Sequence, residues 1–253
     1  MDTRLVLRAI EARLADGVPG SAVEVYGAVG SLGPAVACKL AGHGRRLLYL
    51  VAQDDMVRTR AADISFFLRA GKHGEDPLQP SPVLDFPAPE VSPHAEMQSD
   101  RRTTMRRMAV LFRLSHGYAP PVLLASAAAV FRRVMLPEDF VALCRTVEAG
   151  APLDRQTLID DLCRAGYRRT PIVEDPGTFA VRGAIIDLFP SAYRHPVRME
   201  FLGDEVESLR LFDAPSQRTL RPIDRVFLHP VRETVLTAGA DVRRRLLDAA
   251  DQA

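Results

Sequence analysis

The chain has 253 residues but no tryptophan, only three cysteines and only two lysines, Lys39 and Lys72. The cysteines Cys38, Cys144 and Cys163 lie far apart, and no Cys-x-x-Cys pair or cysteine–histidine cluster has the spacing of a zinc site. The six histidines are scattered singly. We therefore expect buried, reduced thiols, no metal and no catalytic residue.

Long apolar runs and a strong charge of one sign are also missing. The longest apolar run, residues 122–131, is too short to cross a bilayer, and the N-terminus lacks the pattern of a signal peptide. We therefore expect a cytoplasmic location and no membrane partner. A net charge of +1 argues against tight sequence-independent DNA binding by this chain. A length of 253 residues fits one large or two ordinary domains, and an apolar content of 47% is enough to bury a full core.

The first half alternates strand-like and helix-like runs. Strands are predicted at 22–26, 46–51, 82–86 and 121–126, and helices at 34–41, 54–68 and 94–115. Short apolar strands joined by helical crossovers are typical of a parallel sheet with helices on both faces. In the last helix a buried stripe is expected at Met105, Met108, Ala109 and Phe112. Its flank carries Arg102, Arg106 and Arg113, either as a basic patch or as an ordinary solvated face.

The pattern changes near residue 136. A helix is predicted over 154–165, with Asp154 as its N-terminal cap, Gly166 at its end and Leu158, Ile159 and Leu162 on its buried face. Antiparallel strands follow, including a hairpin of 197–202 and 205–212 with a tight turn at Gly203-Asp204. The apolar run 179–190 carries an arginine and an aspartate, which indicates a recognition strand. One further strand is expected at 225–228, before a charged helical tail at 241–252.

These patterns predict an α/β fold in three parts. Residues 1–135 form a degenerate RecA-like or P-loop-like parallel-sheet domain. Residues 136–213 form a small α+β domain with an antiparallel sheet, and residues 214–253 return to the first domain.

The segment after the first predicted strand has the position of a phosphate-binding loop without its chemistry. Such a loop ends in Gly-Lys-Ser or Gly-Lys-Thr, where the lysine neutralises phosphate and the hydroxyl holds magnesium. Here those places are occupied by Leu32, Gly33 and Pro34, after Gly27 and Gly30. Proline also removes a backbone N–H that could face an anion. We interpret the loop as a structural turn that does not bind nucleotide, and we expect no cofactor.

Taken together, a long ordered set of motifs resembles the N-terminal, UvrB-homologous region of the bacterial transcription-repair coupling factors. The set covers nearly the whole chain. Besides the loop at 27–34, it comprises residues 63–67, 92–93, 150–153, 166–168, 177–183, 186–190, 212–213 and 216–219. UvrB itself keeps an intact nucleotide loop and an aromatic hairpin that threads damaged DNA, whereas residues 87–96 here contain no aromatic ring able to stack on bases.

The resemblance implies a non-catalytic module that recruits UvrA through the small middle domain. It also implies that C-terminal domains of the parent protein cover this surface at rest. RNA polymerase and DNA would be engaged only through parts beyond residue 253, so the chain is expected to be a fragment.

Carried over by residue, the resemblance implies a UvrA-binding set of Arg168, Arg182, Phe189 and Asp187. Arginine suits such a surface because its planar guanidinium binds carboxylates in a bidentate manner, and an arginine with an aromatic residue is a common binding hot spot. Phe189 is expected to be the exposed aromatic, and Ala180 stands where UvrB-like sequences often have another arginine. The alternative interpretation is that Arg182 and Asp187 pair within the sheet and Phe189 belongs to the core.

Two other functions stay open on the sequence. The chain could be a nucleotide-dependent DNA-processing domain that itself binds ATP and damaged DNA. It could also act mainly as an internal clamp, which exposed apolar surface near residues 226–235 would favour.

Overall fold

A computed structural model describes residues 8–10, 12, 22–41, 46–68, 83–89, 100–117 and 120–233. These residues fall into two compact units. The first lies within Met1–Gly74, Leu78–Ala88 and Gly117–Arg132, and the second within Glu75–Pro77, Pro89–His116 and Arg133–Ala253. The predicted tail at 241–252 lies outside the described residues.

The helices and strands follow in chain order. They are α1 (Leu32–Ala41), β1 (Leu47–Val51), α2 (Asp55–Phe67), β2 (Val83–Phe86), α3 (Arg101–Ser115), β3 (Val122–Ser126), α4 (Ala127–Val130), α5 (Pro137–Ala142), β4 (Arg145–Glu148), α6 (Arg155–Arg164), β5 (Arg168–Arg169), β6 (Thr178–Arg182), β7 (Ile185–Leu188), β8 (Val197–Leu202), β9 (Glu205–Phe212), β10 (Thr219–Pro222) and β11 (Arg225–Leu228).

The first unit contains a parallel sheet in the order β1-β3-β2. Side chains of α1 and α2, including Cys38 and Ile64, pack against Val122 and Leu124 on one face of this sheet. The other face is less covered, since Leu48 and Leu50 of β1 are each 53% exposed. The strand expected at 22–26 is wrong, because these residues form no regular element.

The second unit contains a six-stranded sheet in the order β10-β9-β8-β7-β6-β5, in which only the short β5 runs parallel to its neighbour. The hairpin of β8 and β9 confirms the predicted turn, where Gly203 has a φ of 61°. The helix α6 confirms its predicted limits: the Asp154 carboxylate accepts the Thr157 N–H at 2.7 Å, and Gly166 follows at a φ of 89°. Both glycines occupy the left-handed region that residues with a Cβ avoid.

The core of this unit lies between α6 and the six-stranded sheet. Leu158 and Leu162 of α6 pack there with Phe179 and Met199 from the strands. Met105 of α3 belongs to the same cluster. The stripe of α3 is confirmed at Met105, Met108 and Phe112, which are at most 5% exposed, while Ala109 is half-buried.

Sequence reasoning missed the burial of Arg107 on α3. Its side chain is fully buried and forms an ion pair with Glu233. The flanking Arg102 and Arg106 are exposed, and Arg113 is half-buried. An ionised group in such a position needs a partner of opposite charge, because desolvation is otherwise too costly.

The last described strand differs from its predicted role. Instead of returning to the first sheet, β11 pairs antiparallel with β4 in the second unit. The division into domains at 135 and 213 stays a prediction.

The three cysteines are free thiols in three different environments. Cys38 is buried and Cys144 half-buried, and burial raises their pKa values to about 11 and about 12. The expectation of a buried thiol is wrong for Cys163, which is exposed because it lies off the apolar face of α6. Among the described side chains, no group of three or more His, Cys, Asp or Glu could hold a metal ion. In the same ranges, no helix combines the length and apolar character that a bilayer span requires.

Candidate protein-binding site

The short strand β5 places Arg168 at one edge of the six-stranded sheet. Both arginines of β5 are exposed, and the Arg168 N–H donates to the Gly177 carbonyl at 3.0 Å. A groove of about 330 Å³ opens beside this edge. Its lining consists of Arg168, Thr170, Pro171, Ile172, Glu174, Asp175 and Thr178.

Arg182 reaches the rim of the same groove from the end of β6. Its side chain is exposed, and Nη2 donates to the Pro171 carbonyl at 3.0 Å. The Thr170 N–H donates to the Phe179 carbonyl at 2.8 Å, and the Thr170 hydroxyl donates to the Ile172 carbonyl at 2.9 Å. The structure thus places Arg168 in the lining of the groove and Arg182 at its rim, bonded to Pro171 next to Ile172, which is 49% exposed.

Asp187 is not available to a partner in this structure. It is 1% exposed and lies opposite Arg198 on the neighbouring strand. Arg198 Nε and Nη2 donate to the two carboxylate oxygens at 2.7 and 2.9 Å. These bonds raise the pKa of Arg198, and its guanidinium also lies 4.8 Å from the centre of the Phe212 ring. The alternative interpretation was that Asp187 pairs within the sheet. The structure shows this pairing, and the partner of Asp187 is Arg198.

Phe189 is a core residue, and the expectation of an exposed aromatic is wrong. It is 7% exposed and packs with Val173, Ala180 and Phe212. These residues form a small second cluster on the opposite side of the sheet from α6. Val173 lies between Ile172 and Glu174, which line the groove, so Phe189 packs against the loop that carries this lining. An arginine at position 180 would be buried in this cluster, since Ala180 is 1% exposed.

Gln217 also holds the loop that contains Val173. The sequence analysis had included this residue only as part of the motif at 216–219. It has a φ of 58°, and its amide donates to the carbonyls of Val173 at 3.2 Å and Ala214 at 2.6 Å. The preceding turn is held by Asp213, whose carboxylate accepts the N–H and the hydroxyl of Ser216. These bonds lower the pKa of Asp213. The sequence signal was the acidic residue three positions before a serine, which is typical of such turns.

The loop at 27–34 in the first unit is engaged by protein groups. Gly27 and Gly30 have φ values of 75° and 62°, and the Gly30 carbonyl accepts Arg60 Nη1 at 2.7 Å. A Cβ on Gly33 would lie 2.8 Å from the Tyr49 hydroxyl oxygen. A lysine at position 33 would therefore need Tyr49 to move.

The Asp54 side chain lies near the carboxyl ends of the parallel strands and accepts hydrogen bonds from other parts of the first unit. Asp54 Oδ1 accepts the Ala88 N–H at 2.9 Å and the Ser126 hydroxyl at 2.8 Å. This edge is where open α/β sheets place their ligands. Here the carboxylate joins the ends of β1, β2 and β3.

Comparison with known proteins gives consistent matches. The UvrB interaction domain family matches residues 146–233, a range that includes the groove and all four predicted site residues. The chain is 40% identical to the transcription-repair-coupling factor of Myxococcus xanthus over 86% of this chain and 18% of the relative. It is 34% identical to that of Escherichia coli over 58% of this chain and 12% of the relative. It is also 32% identical to the UvrABC system protein B of Thermosipho africanus over 46% of this chain and 17% of the relative. The chain thus spans less than a fifth of the length of these relatives.

Proposed function

Because the chain contains the N-terminal UvrB-homology region of the transcription-repair coupling factors, we propose that it is a non-catalytic recruitment module that binds UvrA. The binding surface is the groove beside β5, with Arg168 and Arg182 on its rim. In the parent protein this module brings nucleotide excision repair to stalled RNA polymerase, and C-terminal domains cover the surface at rest. RNA polymerase and DNA are contacted by other parts of that protein.

One observation carries the proposal: the exposed guanidinium of Arg182 donates to the Pro171 carbonyl at the rim of the groove that Arg168 lines. The bond uses one of five N–H donors, so the remaining donors can reach a carboxylate of the partner. Ile172 adds an exposed apolar side chain between charged groups. Arginine is one of the residue types in which binding hot spots are enriched.

The first unit supports a role without nucleotide chemistry. Arg60 binds a carbonyl of the loop at 27–34, and Asp54 is engaged by Ala88 and Ser126. The residues that would grip phosphate in a nucleotide loop are Leu32, Gly33 and Pro34 here.

The test is the affinity of the whole chain for UvrA, measured for the wild type, Arg182→Glu and Arg194→Glu. Arg194 is the matched control because it is exposed and does not line the groove. We expect Arg182→Glu to weaken binding by about tenfold or more, which corresponds to about 1.4 kcal/mol. Arg194→Glu should stay within about twofold of the wild type, the range of a surface change away from the site.

Circular dichroism on all three proteins checks that the fold is kept. Equal affinities of Arg182→Glu and the wild type would remove the proposed surface. A wild-type chain that does not bind UvrA would remove the proposed function.

A further inference from the structure

We propose that Arg101, Arg168 and Arg232 form one anion-binding cluster at the β5 edge of the sheet, which takes a carboxylate from a mixed-charge segment of the protein partner. The inference rests on the proposed function, because it names the chemistry of the segment that the same surface binds. It also extends that surface to α3 and to the segment after β11, beyond the residues that the sequence singled out.

Arg101, the first residue of α3, lies against the backbone beside Arg168. Its Nη2 donates to the Gly177 carbonyl, and the same carbonyl accepts the Arg168 N–H at 3.0 Å. A Cβ on Gly177 would lie only 2.9 Å from Arg101 Nη2. Glycine at position 177 therefore leaves the space that the Arg101 side chain fills.

Arg232 approaches from the other side, after β11. The Val231 N–H donates to the Ala165 carbonyl at 2.9 Å, which fixes this segment next to the end of α6. A Cβ on Gly166 would lie 2.7 Å from Arg232 Cγ. The exposed Arg232 side chain thus lies over Gly166, two residues before Arg168.

The charges in this cluster are unbalanced. Burial lowers the pKa of Arg101, the cations of Arg168 and Arg232 lower it further, and only Asp175 acts in the opposite direction. The three guanidinium groups carry like charges and repel one another. A carboxylate that binds among them relieves this repulsion, because its two oxygens offer about four acceptor sites, enough for the two-bond fork of one guanidinium and a further bond from a second.

Acidic side chains in the lining of the groove decide which kind of anion fits. This lining carries the exposed carboxylates of Glu174 and Asp175, next to the exposed Ile172. A nucleic-acid backbone presents a continuous row of phosphates, which these carboxylates would repel. A peptide segment can place an acidic residue at the arginines, an apolar residue at Ile172 and a basic residue at Glu174 and Asp175. The surface therefore favours a protein segment in which acidic and basic residues stand close together.

The experiment measures the affinity of UvrA for the wild-type chain, Arg232→Glu, Glu174→Lys and the control Arg194→Glu. Arg232 is the residue changed in the test because it is exposed, whereas Arg101 is partly buried and also bonds the Gly177 carbonyl. We expect Arg232→Glu and Glu174→Lys each to weaken binding by about fivefold or more, within the range measured for charged contacts at interfaces. Arg194→Glu should be close to the wild type.

A second arm measures binding of a short DNA duplex to the same proteins by fluorescence anisotropy. We expect Arg232→Glu not to lower the affinity for DNA, because the cluster is proposed to bind a protein segment and not DNA. DNA binding that is lost in Arg232→Glu and strengthened in Glu174→Lys would overturn the inference in favour of nucleic acid.

The other outcomes separate the two proposals. Wild-type affinity for UvrA in Arg232→Glu, together with weak binding in Arg182→Glu, overturns the cluster and leaves the proposed function standing. Stronger UvrA binding by Glu174→Lys overturns the mixed-charge character of the partner segment. A wild-type chain without affinity for UvrA overturns both.

Discussion

Asp187 and Arg198 form a bidentate ion pair across the adjacent strands β7 and β8, with N–O distances of 2.7 and 2.9 Å. The carboxylate is 1% exposed, and the guanidinium also lies over the Phe212 ring. The aspartate within the apolar run 179–190 therefore stabilises the sheet, while Arg182 at the end of β6 is the charge that a partner can reach.

Asp187→Ala should lower the free energy of unfolding by about 3 kcal/mol, because it leaves a partly buried guanidinium without its carboxylate. Urea denaturation followed by circular dichroism measures this loss. The control is Glu207→Ala, an exposed acidic residue on β9, which should change stability by less than about 0.5 kcal/mol. Equal stability of the two variants would show that the ion pair contributes little to the fold.

Phe189→Ala should cost about 3 kcal/mol of stability, since it opens a cavity among Val173, Ala180 and Phe212. Phe189→Leu keeps most of the volume and should cost less. At a temperature where both are folded, Phe189→Leu should bind UvrA nearly as well as the wild type. A large loss of affinity in a fully stable Phe189→Leu would restore this side chain as a contact residue.

The buried His229 makes stability depend on pH. The ring is 0% exposed, stacks on Phe112 at a centroid distance of 5.2 Å and bonds the Pro230 carbonyl through Nδ1 at 2.8 Å. Burial lowers its pKa from 6.5 to about 4, and the nearby Arg113 and His116 act in the same direction. Because the folded state then binds fewer protons than the unfolded state, stability is lost as the pH falls from about 6.5 towards 4.

This loss amounts to about 3 kcal/mol when the histidine acts alone. Urea denaturation at pH 7.5, 5.5 and 4.5 should show a steeper fall for the wild type than for His229→Gln, which does not titrate. Comparison of the two proteins removes the contribution of the carboxylates. Parallel profiles would mean that His229 keeps an ordinary pKa in the folded chain.

A fluorescent ATP analogue should show no saturable, magnesium-dependent binding to the chain at micromolar concentrations. The reason is that the loop at 27–34 lacks the lysine and hydroxyl of a nucleotide site, and Arg60 donates to one of its carbonyls. Arg60→Ala should not create binding, because it removes the guanidinium without adding a phosphate ligand. Saturable binding by the wild type would favour the ATP-dependent DNA-processing alternative.

Local signals predicted local structure well. Asp154 and Gly166 fix the ends of α6, and Gly203 fixes the hairpin turn, because capping and positive φ depend on a few adjacent residues. The prediction of a buried Cys163 was wrong because it rested on residue type alone, whereas Cys163 lies off the face of Leu158 and Leu162 on α6.

Pairings between distant residues were not predictable in the same way. Phe189 is buried because Val173 and Phe212 cover that side of the sheet, and nothing in the local pattern of β7 indicates a second covering layer. The buried Arg107 forms its ion pair with Glu233, which lies 126 residues later in the chain. For the proposed site, Arg168 and Arg182 stay predictions as contacts of a partner, whereas the pairing of Asp187 with Arg198 and the position of Arg101 and Arg232 depend on the tertiary fold.

The ion pair between Arg107 and Glu233 has a practical consequence for any shorter version of this protein. The segment that matches the UvrB interaction domain begins at residue 146, whereas Met105, Phe112 and Arg107 of α3 are packed into the same unit. A fragment that begins at residue 146 would lack α3. The apolar residues that pack against Met105 would become exposed, and Glu233 would lose its ion-pair partner Arg107. The segment that matches the family is smaller than the unit that folds, and expression of the second unit should start no later than Asp100.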